Sequence, residues 1–383
     1  MSHKVSIIAF LAILISPLHA SAKSAWYDNI TLEAGLTTVV QNSIGNDYTI
    51  PATTGADGEE IPSTELKDQI DFAFTADLMV IAKLSETEEM VFHLEAGSGH
   101  SMSDNIPSRS AINYDAYDTE VGDQTRVNMS QAYYQVAKAD EVFTFAVGLM
   151  DVHSLTDTNE FAGDETSQFL NGLFVRSTGV VFHEMPKYYA PTVYLQVKPI
   201  PFISLTLTYS SPDGNDIFEK KEIVGQVGLH PAINERKGNY LFGFILHDGD
   251  FTKIIDDTVA TNTGIFTSID QEVTDMIGFF FRYSQQDDTL LQNEVLAATS
   301  FGISLNNLLG NEGNSVGVGY GFIEFNPNLI TTLDEGEDVI EVYVRFGAGE
   351  NTTVTADLQV FNNLERDDKR SVMAGGLRLQ VGL

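Results

Sequence analysis

Apolar and polar residues alternate along much of this chain. In the longest example, residues 69–84, Ile70, Phe72 and the following even-numbered positions are apolar, while the odd-numbered positions include Asp71 and Asp77. A period of two predicts a β-strand, because successive side chains of a strand point to opposite faces. This strand is longer than is usual in soluble sheets. It exceeds the roughly 9–11 residues with which a tilted strand crosses a membrane.

The same pattern recurs to the end of the chain and predicts sixteen strands, of which the one at 264–271 has the weakest pattern. An even number is expected for a single-chain bacterial barrel with both ends on the periplasmic side. The connections are alternately short and longer, as are the periplasmic turns and extracellular loops of outer-membrane barrels. The predicted strands are 30–37, 69–84, 90–97, 126–137, 142–151, 189–198, 203–211, 221–230, 238–247, 264–271, 275–284, 296–307, 315–324, 338–346, 352–361 and 372–383.

The first residues have the pattern of a secretory signal peptide. A basic start at Lys4 precedes an apolar run at residues 5–15 and the small residues Ala20, Ser21 and Ala22. The run is shorter than the roughly 20 residues of a membrane helix. It therefore predicts a cleaved leader at residues 1–22, with a retained membrane anchor as the alternative.

The pattern as a whole predicts an all-β fold, a transmembrane antiparallel up-and-down β-barrel. No linker or repeat indicates a second domain, so we expect residues 23–383 to form a single barrel. A barrel of sixteen strands is wide enough to hold an aqueous channel.

The chain is strongly acidic and lacks cysteine. Its formal net charge is −33 at pH 7, and removal of the leader would make it one unit more negative. Such a surface disfavours nucleic acid as a partner and an anion-selective pore. Without cysteine there is no disulfide framework and no thiolate chemistry.

The third long connection contains an acidic stretch, residues 151–171, with five carboxylates and no Lys or Arg. We expect this third extracellular loop to fold inward and narrow the bore. Carboxylates and amides accept or donate hydrogen bonds to sugar hydroxyls, and aromatic rings offer stacking area. Contacts must remain weak, because a tightly held solute would not leave. The expected solute-contacting residues of this stretch are Asp151, Asp157, Asn159, Glu160, Asp164, Glu165, Gln168 and Asn171.

The inward-facing register of the predicted strands adds four candidates for pore contact. They are Glu95, Gln131, Tyr133 and Arg282. For each of them, a solvated barrel interior in which charges pair with one another is the plainer explanation.

The acidic stretch also has an alternative structure. Phe161, Glu165 and Phe169 are spaced at i, i+4 and i+8, which would place them on one face of a helix. The segment could then be a helical plug that anchors the loop, with its acids paired to arginines of the wall.

Several sequence blocks carry a resemblance to a known family. They are T-A-D-L at 75–78, F-H-L-E-A-G at 92–97, Q-A-Y-Y-Q at 131–135, G-L-M-D at 148–151, D-T-N-E-F-A-G-D-E-T-S-Q-F-L-N-G at 157–172, V-G-V-G-Y-G at 316–321, D-L-Q at 357–359, and the ending G-G-L-R-L-Q-V-G-L. In these blocks the chain resembles the carbohydrate-selective (OprB-like) porins of Gram-negative outer membranes. The resemblance implies a sixteen-stranded barrel that passes sugars by diffusion through a constriction formed by inward-folded loops.

Two features depart from that family. The chain ends in Leu383, where outer-membrane barrels usually end in an aromatic residue. The third loop is acidic, whereas family members that select sugars often line their channel with arginine.

Catalytic and metal-binding patterns are absent from the sequence. None of the histidines forms H-E-x-x-H, and neither G-x-S-x-G nor EF-hand spacing occurs. We therefore expect no enzymatic activity, no metal and no cofactor. The predicted function is an outer-membrane porin for carbohydrates and other small polar solutes, embedded in outer-membrane lipid. A general, cation-leaning diffusion porin and a non-transporting surface barrel are the alternatives, and the sequence does not distinguish a monomer from a trimer.

Overall fold

A computed structural model describes residues 29–50, 52–54, 60–61, 63–119, 122, 125–138, 142–180, 189–212, 220–329, 336–364 and 371–382. The expected leader at residues 1–22 lies outside the described residues, and so does Leu383. Among the described residues, no helix has both the length and the apolar character needed to cross a bilayer.

The described residues form a closed barrel of sixteen antiparallel strands. Each predicted strand is confirmed, including the weak one at 264–271, with ends that differ by a few residues in most cases. We label the strands in chain order as β1 Ile30–Ile44, β2 Ile70–Lys83, β3 Glu88–Gly99, β4 Arg126–Lys138, β5 Phe143–Asp151, β6 Tyr189–Ile200, β7 Ile203–Ser210, β8 Glu222–Leu229, β9 Arg236–His247, β10 Asn262–Glu272, β11 Ile277–Gln286, β12 Val295–Leu305, β13 Ser315–Phe325, β14 Glu337–Gly347, β15 Thr352–Asn362 and β16 Val372–Gly382.

The first and last strands close the barrel. β1 pairs with β16 from Gly35 opposite Gly382 to Ile44 opposite Met373. Closure leaves no sheet edge, so the backbone groups of the wall are paired within the protein, as a lipid environment requires.

Short elements lie in the connections. The helices are α1 Tyr114–Asp118, α2 Val152–Leu155 and α3 Gly172–Val175, with 3₁₀ turns at Met102–Asp104 and Leu308–Gly310. Small strands pair as Tyr48–Ile50 with Thr64–Leu66, Thr53–Thr54 with Glu60–Ile61, and Ala232–Ile233 with the start of β9.

The polarity of the molecule is inverted relative to a soluble protein. Leu32, Phe72 and Val127 point outward with 61%, 50% and 68% of their surface exposed, whereas Arg282 and Arg378 inside the barrel are each 1% exposed. So many exposed apolar side chains, spread around the whole wall, are what a lipid-facing surface presents.

The connections at one end of the barrel are mostly shorter than those at the other end. The end with short turns, such as 84–87 and 201–202, we call the short-turn end, and the opposite end the long-loop end. Two long connections pack inside the barrel, and we call them L2 (residues 100–125) and L3 (residues 152–188). The described residues are 100–119, 122 and 125 of L2 and 152–180 of L3.

L2 and L3 pack against one side of the barrel interior. Their apolar side chains form a buried cluster with inward-facing residues of β11 to β16. That part of the interior is therefore dry, and the polar inner face of β1 to β6 lies opposite. The cluster consists of Met102, Ile106, Ile112, Phe161, Ala162, Phe169, Leu173, Phe174, Phe280, Ala298, Ile323, Phe325, Val339, Tyr343, Phe361, Leu364, Val372 and Ala374.

Candidate functional site: the pore constriction

L3 enters the barrel directly after β5. The Asp151 carboxylate accepts hydrogen bonds from the backbone N–H groups of His153 and Ser154 at 2.8 and 3.2 Å, and so caps α2. Farther along, the Asn159 amide donates to Ser268 Oγ at 3.2 Å and to the Ile269 carbonyl at 3.1 Å. Both partners are on β10, so L3 lies against the inner wall.

A buried arginine of β11 holds the first half of L3. The Arg282 guanidinium donates to the Asp157 carboxylate at 3.3 Å, to the Ala162 carbonyl at 2.7 Å, to the Asp157 carbonyl at 3.0 Å and to the Phe174 carbonyl. The N–H and Oγ of Ser177 also donate to the Asp157 carboxylate, at 2.7 and 2.8 Å. This guanidinium can be buried because acceptors surround it.

The wall from β14 to β16 holds the second half of L3. The Glu341 carboxylate accepts from the backbone N–H groups of Leu170 and Asn171 at 2.6 and 3.0 Å. Arg378 donates to the Glu165 and Gln168 carbonyls at 2.5 and 2.6 Å. L3 is thus fixed along its length by charge-assisted bonds to backbone groups, which are stronger than neutral ones.

Wall glycines make room for the aromatic side chains of L3. A Cβ atom added to Gly278 would lie 2.3 Å from the Phe161 ring, and one at Gly319 would lie 2.7 Å from the Phe174 ring and 3.0 Å from the Phe169 ring. Gly319 belongs to the V-G-V-G-Y-G block of β13. The loop can approach the wall this closely only because these two positions carry no side chain.

The helical plug that the spacing of Phe161, Glu165 and Phe169 suggested is not formed. Residues 158–171 contain turns but no helix, and helices occur only just before and just after them. Both phenylalanines are nevertheless buried, 7% and 0% exposed, and pack against the wall. They therefore anchor the loop.

The other face of L2 and L3 carries ionisable groups. Asp118 at the end of α1, Glu165 in L3 and Arg176 after α3 are each partly exposed. The Arg176 guanidinium lies 5.5 Å from the centre of the Tyr114 ring, and its Nη2 is 3.9 Å from Asp151 Oδ2. The cation is therefore held between an aromatic face and a carboxylate.

Tyr189 of β6 connects the polar inner face of the barrel wall to these ionisable groups. Its hydroxyl donates to Glu95 Oε2 of β3 at 2.5 Å and lies 3.5 Å from Asp118 Oδ2 of L2. Wall and loops therefore approach each other here, and we call this region the constriction. Its members are Asp77, Glu95, Tyr114, Tyr117, Asp118, Asp151, Glu165, Arg176 and Tyr189.

The charges of the constriction act strongly on one another. Burial raises the pKa of Asp118 well above its usual value, and the carboxylates of Asp151 and Glu165 raise it further. Burial also raises the pKa of Glu165 to about 7, which Arg176 opposes. Burial alone would lower the pKa of Arg176, but the surrounding acidic groups raise it above its ordinary value. The shifts therefore arise from partial burial together with the proximity of several charges.

The residues predicted from the sequence to contact solute divide into two groups. Asp157, Asn171 and Arg282 are 0%, 0% and 1% exposed. Their side chains bind the loop to itself or to the wall and leave no surface for a solute. Asn159 and Asp151 are 8% and 7% exposed and also hold backbone or wall groups, although Asp151 borders the constriction.

The remaining predicted residues retain accessible surface or reach the constriction. Glu160 and Asp164 are exposed, and Glu165, Gln168, Gln131 and Tyr133 are partly exposed. Glu95 is largely buried but bonds to Tyr189. For all of these, solute contact stays a prediction.

Sequence reasoning missed the contribution of L2. Asn113 accepts a hydrogen bond from the Ala116 N–H and so begins α1, which presents Tyr114, Tyr117 and Asp118. The available signal was the short N-Y-D-A-Y-D run at residues 113–118, in which an N-cap residue precedes two tyrosines.

A cavity of about 500 Å³ lies at the short-turn end, beneath the 158–161 segment of L3. Its other walls come from the turn at 230–232, from the start of β9 and from the end of β10. The remaining lining residues are Lys237, Gly238, Asn239, Asp270 and Glu272. The cavity has both polar and apolar lining residues and lies on that side of the loop.

No family model matches the chain, and no curated protein matches it in sequence. Solved structures do share its fold. The high-pH structure of Pseudomonas putida OprB has a TM-score of 0.75 at 13% identity, covering 93% of this chain and 95% of that chain. The low-pH structure of the same protein has a TM-score of 0.58 at 10% identity, covering 93% of each chain.

The outer membrane channel DcaP of Acinetobacter baumannii has a TM-score of 0.57 at 11% identity, covering 92% of this chain and 97% of that chain. At such low identities the likeness concerns the fold. The chain has the closed sixteen-stranded antiparallel barrel of the outer-membrane porins.

Proposed function

We propose that this protein is an outer-membrane porin through which carbohydrates and other small polar solutes diffuse passively. The observation that most supports this is the composition of the constriction. There, the Tyr189 hydroxyl of β6 contacts Glu95 and Asp118, and Arg176 lies between the Tyr114 ring of L2 and Asp151. We place the short-turn end in the periplasm and the long-loop end outside the cell, as in other such barrels.

The chemistry of a sugar suits the residues of the constriction. Its hydroxyl groups bind carboxylates and guanidinium groups, and its apolar ring faces pack on tyrosine. Tyr117 is 36% exposed, and Asp118 and Glu165 are partly exposed, so these groups are accessible to a solute. The contacts are separate and modest, which favours release as well as entry.

A general, cation-leaning diffusion porin is the second candidate. It is favoured by the balance of charge at the constriction. Asp118, Asp151 and Glu165 act on Arg176, and Asp77 and Glu95 add two further carboxylates. A ring of carboxylates attracts cations and repels anions.

Planar bilayer recordings with the purified protein separate these candidates. Sugar transport predicts that added sugar reduces the ionic current and that proteoliposomes swell in iso-osmotic sugar. A cation-leaning pore predicts a cation-selective reversal potential in a salt gradient and no block by sugar. Absence of conductance from folded protein would contradict both and would leave the non-transporting barrel.

A further inference from the structure

Two strands of the polar wall bring three potential metal ligands together. Asp77 on β2 lies directly opposite Glu95 on β3, and His93 lies two positions from Glu95 on the same face. His93 Nε2 is 3.2 Å from Asp77 Oδ1, and His93 Nδ1 is 3.3 Å from Glu95 Oε1. One ligand atom from each of the three residues lies within 4.8 Å of the other two.

This spacing is close to that of a coordination sphere. Ligands bound at about 2.0–2.2 Å to one Zn²⁺ in tetrahedral geometry are about 3.3–3.6 Å apart. The three atoms would therefore have to approach by at most roughly 1.5 Å, which side-chain rotation on fixed strands can supply. Three protein ligands also leave a coordination position for water or a passing solute.

The surroundings favour a cation at this point. Like charges directly opposite each other on paired strands are destabilising, and the Asp77 and Glu95 carboxylates occupy such positions. Tyr189 donates to the second carboxylate oxygen of Glu95 and so orients it. The side chain of Asp77 is 33% exposed, which gives an ion from the lumen access to the cluster.

We propose that Asp77, His93 and Glu95 form a site for a divalent transition-metal cation. One imidazole with two carboxylates suits Zn²⁺ and the neighbouring first-row ions better than Mg²⁺ or Ca²⁺, which prefer oxygen ligands alone. Because Tyr189 joins Glu95 to Asp118, a bound ion would lie at the constriction and reduce its negative charge. The ion would therefore decrease the cation current through the pore, and this consequence rests on the proposed function.

The binding test uses the full chain purified in detergent and titrated calorimetrically with Zn²⁺. We expect one ion per chain and at least about 10-fold weaker binding in His93→Gln, since even second-shell changes cost about 10–100-fold. The matched control is His100→Gln, an exposed histidine just beyond β3, which should bind as the wild type does. Asp77→Asn keeps the shape of the side chain and serves as a second ligand variant if His93→Gln fails to fold.

Other outcomes would overturn the site. Unchanged Zn²⁺ affinity in both His93→Gln and Asp77→Asn would do so, as would equal affinity for Mg²⁺, which would indicate diffuse attraction to acids. In bilayers, Zn²⁺ should lower the current of the wild type and of His100→Gln, reversibly with EDTA. If the protein binds Zn²⁺ as expected but forms no pores, the site stands and the proposed function fails.

Discussion

Replacement of Arg282 tests whether L3 is held in the bore by its buried anchor. Arg282→Met keeps much of the volume of the side chain but removes the donors to Asp157, Ala162 and Phe174. The Arg282 and Asp157 side chains are 2% and 0% exposed, so water does not replace the lost partner.

The expected cost follows from this burial. Removing one partner of a buried ion pair costs about 3–5 kcal/mol, because the other charge stays buried without compensation. Asp157 keeps two hydrogen bonds from Ser177, which places the expectation near the lower end, about 3 kcal/mol. That corresponds to roughly a 100-fold shift toward an undocked loop. The strand ladder of β11 is untouched, so the barrel should persist.

Two measurements report undocking. Single-channel conductance should rise, because L3 would no longer fill the interior. Trypsin should also cleave after Arg176, whose side chain is only 12% exposed while L3 is docked. Arg236→Met is the matched control, since Arg236 pairs with Asp275 at the exposed short-turn end and surface pairs contribute little.

The heat-dependent shift in electrophoretic migration verifies that the barrel is folded. A folded Arg282→Met protein with the conductance and trypsin resistance of the wild type would refute the reasoning. It would mean that the contacts with β14 to β16 suffice to hold L3.

The remaining predictions concern the fit of L3 and the charges of the constriction. Gly319→Val should displace L3 and raise conductance, because a Cβ there meets aromatic rings of the loop, whereas Gly375→Val should not, since a Cβ at Gly375 meets nothing within 4 Å. Asp164→Asn combined with Glu165→Gln should lower cation preference in reversal-potential measurements, and unchanged selectivity would place these acids away from the ion path. Because burial raises the pKa of Glu165 to about 7, its charge appears as pH rises from about 6 to 8. Cation preference should increase over that range, and Glu165→Gln should flatten the increase. Arg176→Gln removes the cation of the constriction and should raise cation preference, the opposite sign to the double variant.

The alternation of residues along the chain determined the strands and their two faces. A strand has a side-chain period of two whatever its neighbours are, so Phe72 and Asp77 could be placed on opposite faces without knowledge of the fold. The number of strands and the alternation of short and long connections then determined the barrel. The same local information identified the acidic stretch of L3.

Only the tertiary structure decided which polar residues hold the loops and which lie at the constriction. From their positions in the strands, Glu341 and Arg282 are predicted to face the water-filled interior of the barrel. In the structure, Glu341 instead binds the backbone of Leu170, 171 positions away, and Arg282 is buried against L3. Local spacing carries no information about such contacts, because they form only when the barrel closes around the loop. The same holds for Asp77 and Glu95, which become neighbours through strand pairing, and for Tyr189 and Asp118, which approach each other across the constriction.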